Sequence, residues 1–259
     1  MRIPIRMIGI ATTFFWLFLI VFFVSAVYSV KDVRFDFEDP QMGLTADDKI
    51  LFSLPMTIDN RGYYNIGSFN VTTEISDKQG YIITHGCTFI SVIEKGGQTI
   101  ATHNMIIDMN DLLQNSQDYL FNDTKLKVHE TVGMELAEVI PVQISTNLSI
   151  HWGAPLYNFV LGEVEYATSN RTHLTVTVPI SFENHAFFNL IGITEICMYN
   201  STNASLGRGE TTIEALQNAP YRGHIDLTVP MAGMTENGYF KVYYSTSFFN
   251  FGPLVFPYD

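Results

Sequence analysis

The side chains that could do chemistry in this sequence are few and scattered. Seven histidines, at 85, 103, 129, 151, 173, 185 and 224, stand singly. No H-x-H, HExxH or Cys/His spacing would bring two of them to one metal, so each reads as a structural or surface histidine. A nucleophile elbow, a phosphate-cradling glycine loop and a dinucleotide fingerprint are all missing, and Gly96-Gly97 reads as a turn. Asp36, Glu38, Asp39, Asp47 and Asp48 cluster enough for a weak calcium site but lack the D-x-D-x-D-G spacing, which favours a solvated face. The sequence therefore predicts no catalytic, cofactor-binding or metal-ligating residue, no cofactor and no enzymatic activity. A secreted hydrolase would require histidines and carboxylates from separate loops to converge in one pocket.

Two further residue classes bear on location. Asn70, Asn122, Asn147, Asn170, Asn200 and Asn203 open N-x-S/T sequons, six of the seventeen asparagines. They are candidate glycosylation sites in an exported chain, although a Thr- and Asn-rich composition also generates sequons by chance. Cys87 and Cys197 occupy different positions in the two halves of the sequence, so they are not one intradomain disulfide duplicated. A single bridge between them is compatible with an oxidising compartment. Two buried free thiols are the alternative.

Composition limits the partners. Charged residues make up 15% of the chain, against roughly 25% in an average soluble protein; Asn, Ser and Thr supply much of the polar surface instead, which fits an extracytoplasmic protein. The net charge of −12 excludes nucleic acid, whose phosphates need Lys and Arg opposite them, and excludes adsorption to anionic lipid through a basic patch.

The elements that would position these residues begin with an N-terminal apolar segment. Arg2 and Arg6 precede an uncharged stretch, 7–30, which as a helix would extend about 36 Å, enough for a hydrocarbon core of about 30 Å. Arginines before it and Asp32, Asp36, Glu38 and Asp39 after it predict a cytoplasmic stub and signal-anchor over 1–30, with everything beyond it outside the cell. The competing reading is a signal peptide cleaved after Val24-Ser25-Ala26, but its apolar region is longer than the 7 to 15 residues usual for one.

Beyond the anchor, one strand pattern occurs twice. In 50–60 the residues Ile50, Phe52, Leu54, Met56 and Ile58 alternate with Leu51, Ser53, Pro55, Thr57 and Asp59; in 174–184 the residues Leu174, Val176, Val178, Ile180 and Phe182 alternate with Thr175, Thr177, Pro179, Ser181 and Glu183. A period of two with one apolar face predicts half-buried strands in antiparallel sheets. Pro55 and Pro179 cannot donate to a ladder, which predicts edge strands or bulges. Without gaps, 33–66 aligns on 157–190, matching Phe35 with Phe159, Asn60 with Asn184 and Asn65 with Asn189. Past that point, matching Gly67 with Gly192 needs a one-residue slip, which leaves the facing of Cys197 open. In 110–141 apolar residues such as Val128, Val132, Leu136 and Val139 recur at helical spacing, which predicts a helical insertion in the first repeat serving as a strut. The Ser145-Thr146 and Gly153-Ala154-Pro155-Leu156 segments echo Ser245-Thr246 and Gly252-Pro253-Leu254, which sets the repeats at 31–156 and 157–259.

The alternating strands closed by Ile58-Asp59-Asn60 and Phe182-Glu183-Asn184, the aromatics Tyr63-Tyr64 and Phe187-Phe188, the run from Ile66 to Ile75, and Gly86 before a strand ending at Gly96-Gly97 resemble the water-stress and hypersensitive-response domain, the type 2 late-embryogenesis-abundant fold. That family has Asn-Pro after the first strand, whereas Arg61 and His185 follow the asparagine here. The resemblance implies fibronectin-like sandwiches behind a membrane anchor, without enzymatic activity, and roles in stress protection or lipid handling.

The expectation is thus a mainly β chain: two tandem antiparallel β-sandwiches of fibronectin/immunoglobulin-like type after one transmembrane helix. It would act as a structural, stress-protective or binding module of the cell envelope. A lipid-binding or lipid-transfer protein is the alternative, and the expected partners are the membrane, a lipid or an envelope protein.

Overall fold

A computed structural model describes residues 5–39, 41–47 and 49–258, with the side chains of 5–9 and 114–115 outside the description. Arg2, the side chain of Arg6 and Asp48, on which expectations above rest, lie outside the described residues. Helix α1 (Ile5–Val30) is followed by β1 (Val33–Phe37), β2 (Gln41–Leu44), β3 (Ile50–Asn60), β4 (Ile66–Ser76), β5 (Ile82–Ile93) and β6 (Gln98–Ile107). Two short helices, α2 (Met109–Asn115) and α3 (Asp118–Phe121), precede β7 (Thr124–Leu136) and β8 (Ile140–Trp152). The second half contains β9 (Tyr157–Leu161), β10 (Glu165–Thr168), β11 (His173–Asn184), β12 (Leu190–Asn200), β13 (Ser205–Ala215), β14 (Ala219–Pro230), β15 (Gly238–Thr246) and β16 (Asn250–Tyr258).

The repeat in sequence is a repeat in topology. In the first half β3 pairs with β1, β2 and β6, and a second sheet runs β5-β4-β7-β8; in the second half β11 pairs with β9, β10 and β14, and a second sheet runs β13-β12-β15-β16. The two halves thus carry the same pair of four-stranded sheets, with antiparallel registers. Alternation holds on the organising strands: Ile50, Met56 and Ile58 on β3 and Val176, Val178, Ile180 and Phe182 on β11 are buried. In the first sandwich Met56, Ile58, Ile66, Phe69, Val71, Ile93, Met134 and Leu136 form one core cluster.

The prolines sit on central strands, not on edges. Along its whole length β11 pairs with β14, Pro179 opposite His224, so β9 and β10 share its other edge. Pro179 falls where β9 ends and β10 has not begun, and its carbonyl accepts from Gly162 N at 2.8 Å. A residue's N–H and C=O point to the same side of an antiparallel strand, so the missing donor faces the interruption. Pro55 repeats this between β1 and β2, its carbonyl accepting from Glu38 N at 3.1 Å.

Three further expectations are corrected. The segment predicted as a long helix over 110–141 is helical only in α2 and α3; Leu126, Val128, Met134 and Leu136 line the buried face of strand β7. Residues four apart share a face in a strand as well as in a helix, so spacing alone did not discriminate, and β-branched Thr124, Val128, Thr131 and Val132 tip the balance. The C-terminal echo is not structural either, because Ser145-Thr146 lies inside β8 whereas Ser245-Thr246 ends β15. Finally, the change of phase lies in the first repeat and is a bulge of the opposite sense to the slip: between Gly67 and Asn70 β4 runs one residue long against β7, and Ser68 takes φ 49°. Strand β12 keeps its phase, with Ile196 and Met198 buried and Cys197 on the opposite face.

The chain forms two compact units. One comprises 1–44, 50–106 and 127–148; the other comprises 45–49, 107–126 and 149–259. The α2–α3 insertion, which in sequence interrupts the first repeat, therefore clusters with the second unit. There Leu156 N donates to Leu120 O at 2.8 Å, Trp152 Nε1 to Tyr119 O at 2.9 Å, and the Phe121 and Phe251 rings meet edge-on at 5.8 Å.

Candidate functional site

The residues that both repeats use for the same task are Asn60 and Asn184, each completely buried at the end of its strand. Asn60 Nδ2 donates to Tyr64 O at 3.0 Å and Ile93 O at 3.1 Å, while Oδ1 accepts from Gly62 N at 3.1 Å. Asn184 does likewise with Phe188 O, Ala215 O, Leu216 O and Ala186 N at 2.9–3.2 Å. Five residues on, Asn65 and Asn189 also match, accepting from Lys95 N and Gln217 N at 3.0 and 2.9 Å. These bonds fix the loops after β3 and β11 and present their aromatic residues.

In the first unit the fixed loop receives helix α1. Tyr63 N donates to Ser29 Oγ at 2.7 Å, the Tyr64 hydroxyl lies 2.8 Å from Ser25 Oγ, and Phe22 meets the Tyr64 ring edge-on at 5.7 Å. Ala26 and Ser29 are buried. A Cβ on Gly62 would lie 2.8 Å from the Ser29 carbonyl oxygen, so small residues on both sides permit the approach. Val30 packs against the core cluster, and Lys31 Nζ sits 3.7 Å over the Tyr28 ring. The helix therefore joins the sandwich through side chains as well as through the chain. Its Ile10–Val30 portion is long and apolar enough to cross a membrane.

Of the histidines, two have definite partners in the interior or at a junction. In the first unit His103 is buried between Thr73 and Thr88, 3.0 Å from each hydroxyl, and burial lowers its pKa. In the second, His185 Nδ1 is 2.8 Å from Asp123 Oδ2 and Nε2 is 3.0 Å from Glu183 Oε2, with the Tyr157 ring stacked at 4.3 Å. Burial alone would lower the His185 pKa, but its hydrogen bonds to Asp123 and Glu183 and their negative charge raise it. Asp123 is lowered: burial works against this, and the Ala154 N–H, 2.9 Å from Oδ1, and His185 prevail. With a carboxylate at each nitrogen the protonated imidazole donates on both sides and ties Asp123, two residues past α3, to the loop after β11. Its geometry is that of a clamp. Sequence reading found His185 only as a lone histidine, because its partners lie two and sixty-two positions away.

Among the described residues no group of His, Cys, Asp or Glu is placed to hold a metal ion. Cys87 and Cys197 are both free thiols, so the bridge weighed from sequence is not formed; nor are both buried, Cys87 being exposed and Cys197 half-buried. Burial, then Glu195, which accepts from Sγ at 3.1 Å, pushes the Cys197 thiol up to about 11, which makes it unreactive. In the second unit Thr194 Oγ1 and Tyr244 Oη, opposite each other on β12 and β15, are buried without hydrogen-bond partners among the described residues.

The sequons divide in two. Asn122, Asn147, Asn170 and Asn203 are exposed. Asn70 Nδ2 is used on Ser68 O at 3.0 Å, and Asn200, largely buried, gives its Nδ2 to Gly233 O at 3.0 Å. On Asn70 and Asn200 one Nδ2 hydrogen is thus already engaged, which leaves only the other for a glycan.

No protein-family model matches the chain, and no curated protein matches it. Solved structures do. Red sea bream transglutaminase is 10% identical with a TM-score of 0.31, covering 83% of this chain and 29% of its own. The C-terminal domain of the Streptococcus agalactiae AgI/II polypeptide BspA is 8% identical with a TM-score of 0.42, covering 85% and 98%. The periplasmic chaperone SfaE is 11% identical with a TM-score of 0.28, covering 86% and 97%. This chain thus spans less than a third of the transglutaminase. At such identities the likenesses concern the fold alone.

Proposed function

We propose that the protein is a non-enzymatic, membrane-anchored module of the cell envelope, a tandem β-sandwich displayed on the extracytoplasmic side by α1. The observation that carries this reading is the junction of α1 with the loop after β3. An apolar helix of membrane-spanning length has its lipid-facing side chains exposed and its last turns fitted to the sandwich through Ser25, Ala26 and Ser29. The scattered histidines, the unreactive Cys197 thiol and the clamp at His185 support a structural or binding role over a chemical one. The type 2 late-embryogenesis-abundant resemblance fits the same reading, since the asparagines that carry it organise both loops. Alkaline washing of membranes should leave the full chain in the pellet, and protease added to intact cells should cleave beyond Val30. Release by the wash, or protection from the protease, would refute the anchor or its orientation.

A lipid-handling role keeps one specific observation in its favour. Phe37, Met42 and Leu44 share the inward face of β3 through their register with Met56, Phe52 and Ile50, yet they are 44, 56 and 46% exposed. On β8, Ile144 and Leu148, on the face of the core-packed Ile140 and Val142, are 64 and 54% exposed. Mass spectrometry of the purified protein should detect a stoichiometric lipid if the open edge of the first sandwich holds one, and none if it does not.

A further inference from the structure

The helix and the loop after β3 are joined at a fixed depth, and that depth has a consequence for lipid. Resting on the anchor reading above, we propose that one end of the first sandwich sits in the headgroup layer of the bilayer. This end is made of loop 61–65, turn 94–97 and turn 137–139, and it contacts zwitterionic lipid with Tyr63, Tyr64 and Val139. The uncharged stretch 7–30 extends about 36 Å as a helix, against a hydrocarbon core of about 30 Å. Only about 6 Å can therefore stand clear of the hydrocarbon on the exit side. Ser25 lies five residues before Val30, about 7 Å lower along the axis, so in every placement its hydroxyl is at or below the hydrocarbon boundary. The Tyr64 hydroxyl is 2.8 Å from it, with the ring against Phe22. Ser29, the acceptor for Tyr63 N, lies within the headgroups.

The chemistry agrees with that depth. A hydroxyl in hydrocarbon must be paired, and here Ser25 Oγ donates to Phe22 O at 2.8 Å while the Tyr64 hydroxyl donates to Ser25 Oγ. Tyrosine is the side chain enriched at this level, with an apolar ring and a polar tip. Tyr28 and Tyr63 are 54 and 60% exposed. The two turns are held level with the loop: Gly96 N donates to Asn60 O at 2.6 Å, Asn65 Oδ1 accepts from Lys95 N at 3.0 Å, and Asn65 Nδ2 donates to Glu138 Oε1 at 2.8 Å. Val139, at the tip of the last turn, is 63% exposed. Lys31, Arg61 and Lys95 are offset by Asp32, Asp59, Glu94 and Glu138. The face thus has no net positive charge and suits phosphatidylcholine over anionic lipid.

The test uses the full chain in phosphatidylcholine vesicles with and without bromine on the upper acyl carbons. In a Trp16→Phe background, which keeps the buried Trp152 as a constant signal, the emission added by Tyr63→Trp and by Val139→Trp should each fall by roughly half in brominated lipid, as for side chains at the acyl boundary. Ile82→Trp, exposed where β4 and β5 meet at the end of the first sandwich away from loop 61–65, should lose none, and adding phosphatidylserine should change nothing. Quenching of the first two variants no greater than that of Ile82→Trp, with the protein resistant to alkaline wash, would overturn this placement and leave the anchor standing. Deeper quenching on adding phosphatidylserine would overturn the zwitterionic assignment. Loss of the protein from the vesicles on washing would remove the anchor and this inference together.

Discussion

Asn60 and Asn184 show at the residue scale why a polar side chain is retained in each sandwich core. Each is completely buried and satisfies carbonyls of its own loop and of the neighbouring strand end. Replacing Asn184 by Ala would strand the Phe188, Ala215 and Leu216 carbonyls and the Ala186 N–H. Leaving buried groups unpaired costs ~1 to 3 kcal/mol each where water cannot enter. Asn184→Ala should therefore lower the free energy of unfolding by about 2 to 4 kcal/mol in a denaturant titration, whereas Asn170→Ala in an exposed turn should cost under about 1 kcal/mol. The sequence showed that these asparagines recur; their bonds run to residues some thirty positions on, which no local pattern records.

The clamp at His185 gives a pH dependence. Its folded pKa is raised, so its contribution is present below the ordinary histidine value of 6.5 and disappears as pH rises through the folded value. Asp123 is depressed, so its contribution is present above 3.8 and disappears as pH falls through its folded value. The stability difference between the wild type and His185→Gln should thus be greatest between pH 3.8 and 6.5 and shrink above neutrality. Unfolding curves across pH measure it, and a difference that is flat from pH 5 to 9 would dissociate His185 from the clamp.

At the element scale the turn between β7 and β8 explains most of what sequence reading missed. Ala137 and Glu138 both take positive φ, 52° and 59°, and Val139 N closes the turn on Leu136 O at 3.2 Å. Two positive φ angles make this a type I′ hairpin, usually announced by Asn-Gly or Asp-Gly. With Ala-Glu in its place the turn carried no signal, and two strands joined by a silent turn read as part of a helix. A left-handed conformation costs Ala about 1 kcal/mol. Ala137→Asn should therefore stabilise the first unit by about 0.5 to 1 kcal/mol, seen as a higher denaturation midpoint. The strands with strict alternation, β3 and β11, were legible because one face carries apolar residues over their whole length, buried at Ile50, Met56 and Ile58 on β3 and from Val176 to Phe182 on β11. The broken neighbours β1–β2 and β9–β10 were not, because the interruption is defined by a proline on another strand.

At the scale of the whole molecule the two repeats were legible in the sequence, but the compact units were not, because segments 45–49 and 107–126 cluster with the second unit. Their allegiance rests on contacts that no periodicity encodes: the Leu120 carbonyl taken by Leu156 N, the Tyr119 carbonyl by Trp152 Nε1, and Asp123 by Ala154 N and His185. This makes a prediction that separates repeat from unit. Ile180 is 1% exposed at the centre of β11, and truncating such a residue to Ala costs about 2 to 5 kcal/mol. Hydrogen exchange on the Ile180→Ala chain should show protection falling in β11, β12, β14 and β15, and with them in α2 and α3. Amides of β3, β4 and β7 packed around Met56 and Phe69 should keep most of theirs, since that cluster lies wholly within the first unit. If α2 and α3 instead stayed protected while β11 opened, their bonds to Trp152, Leu156 and His185 would not be what orders them, and the insertion would belong energetically to the repeat that encodes it.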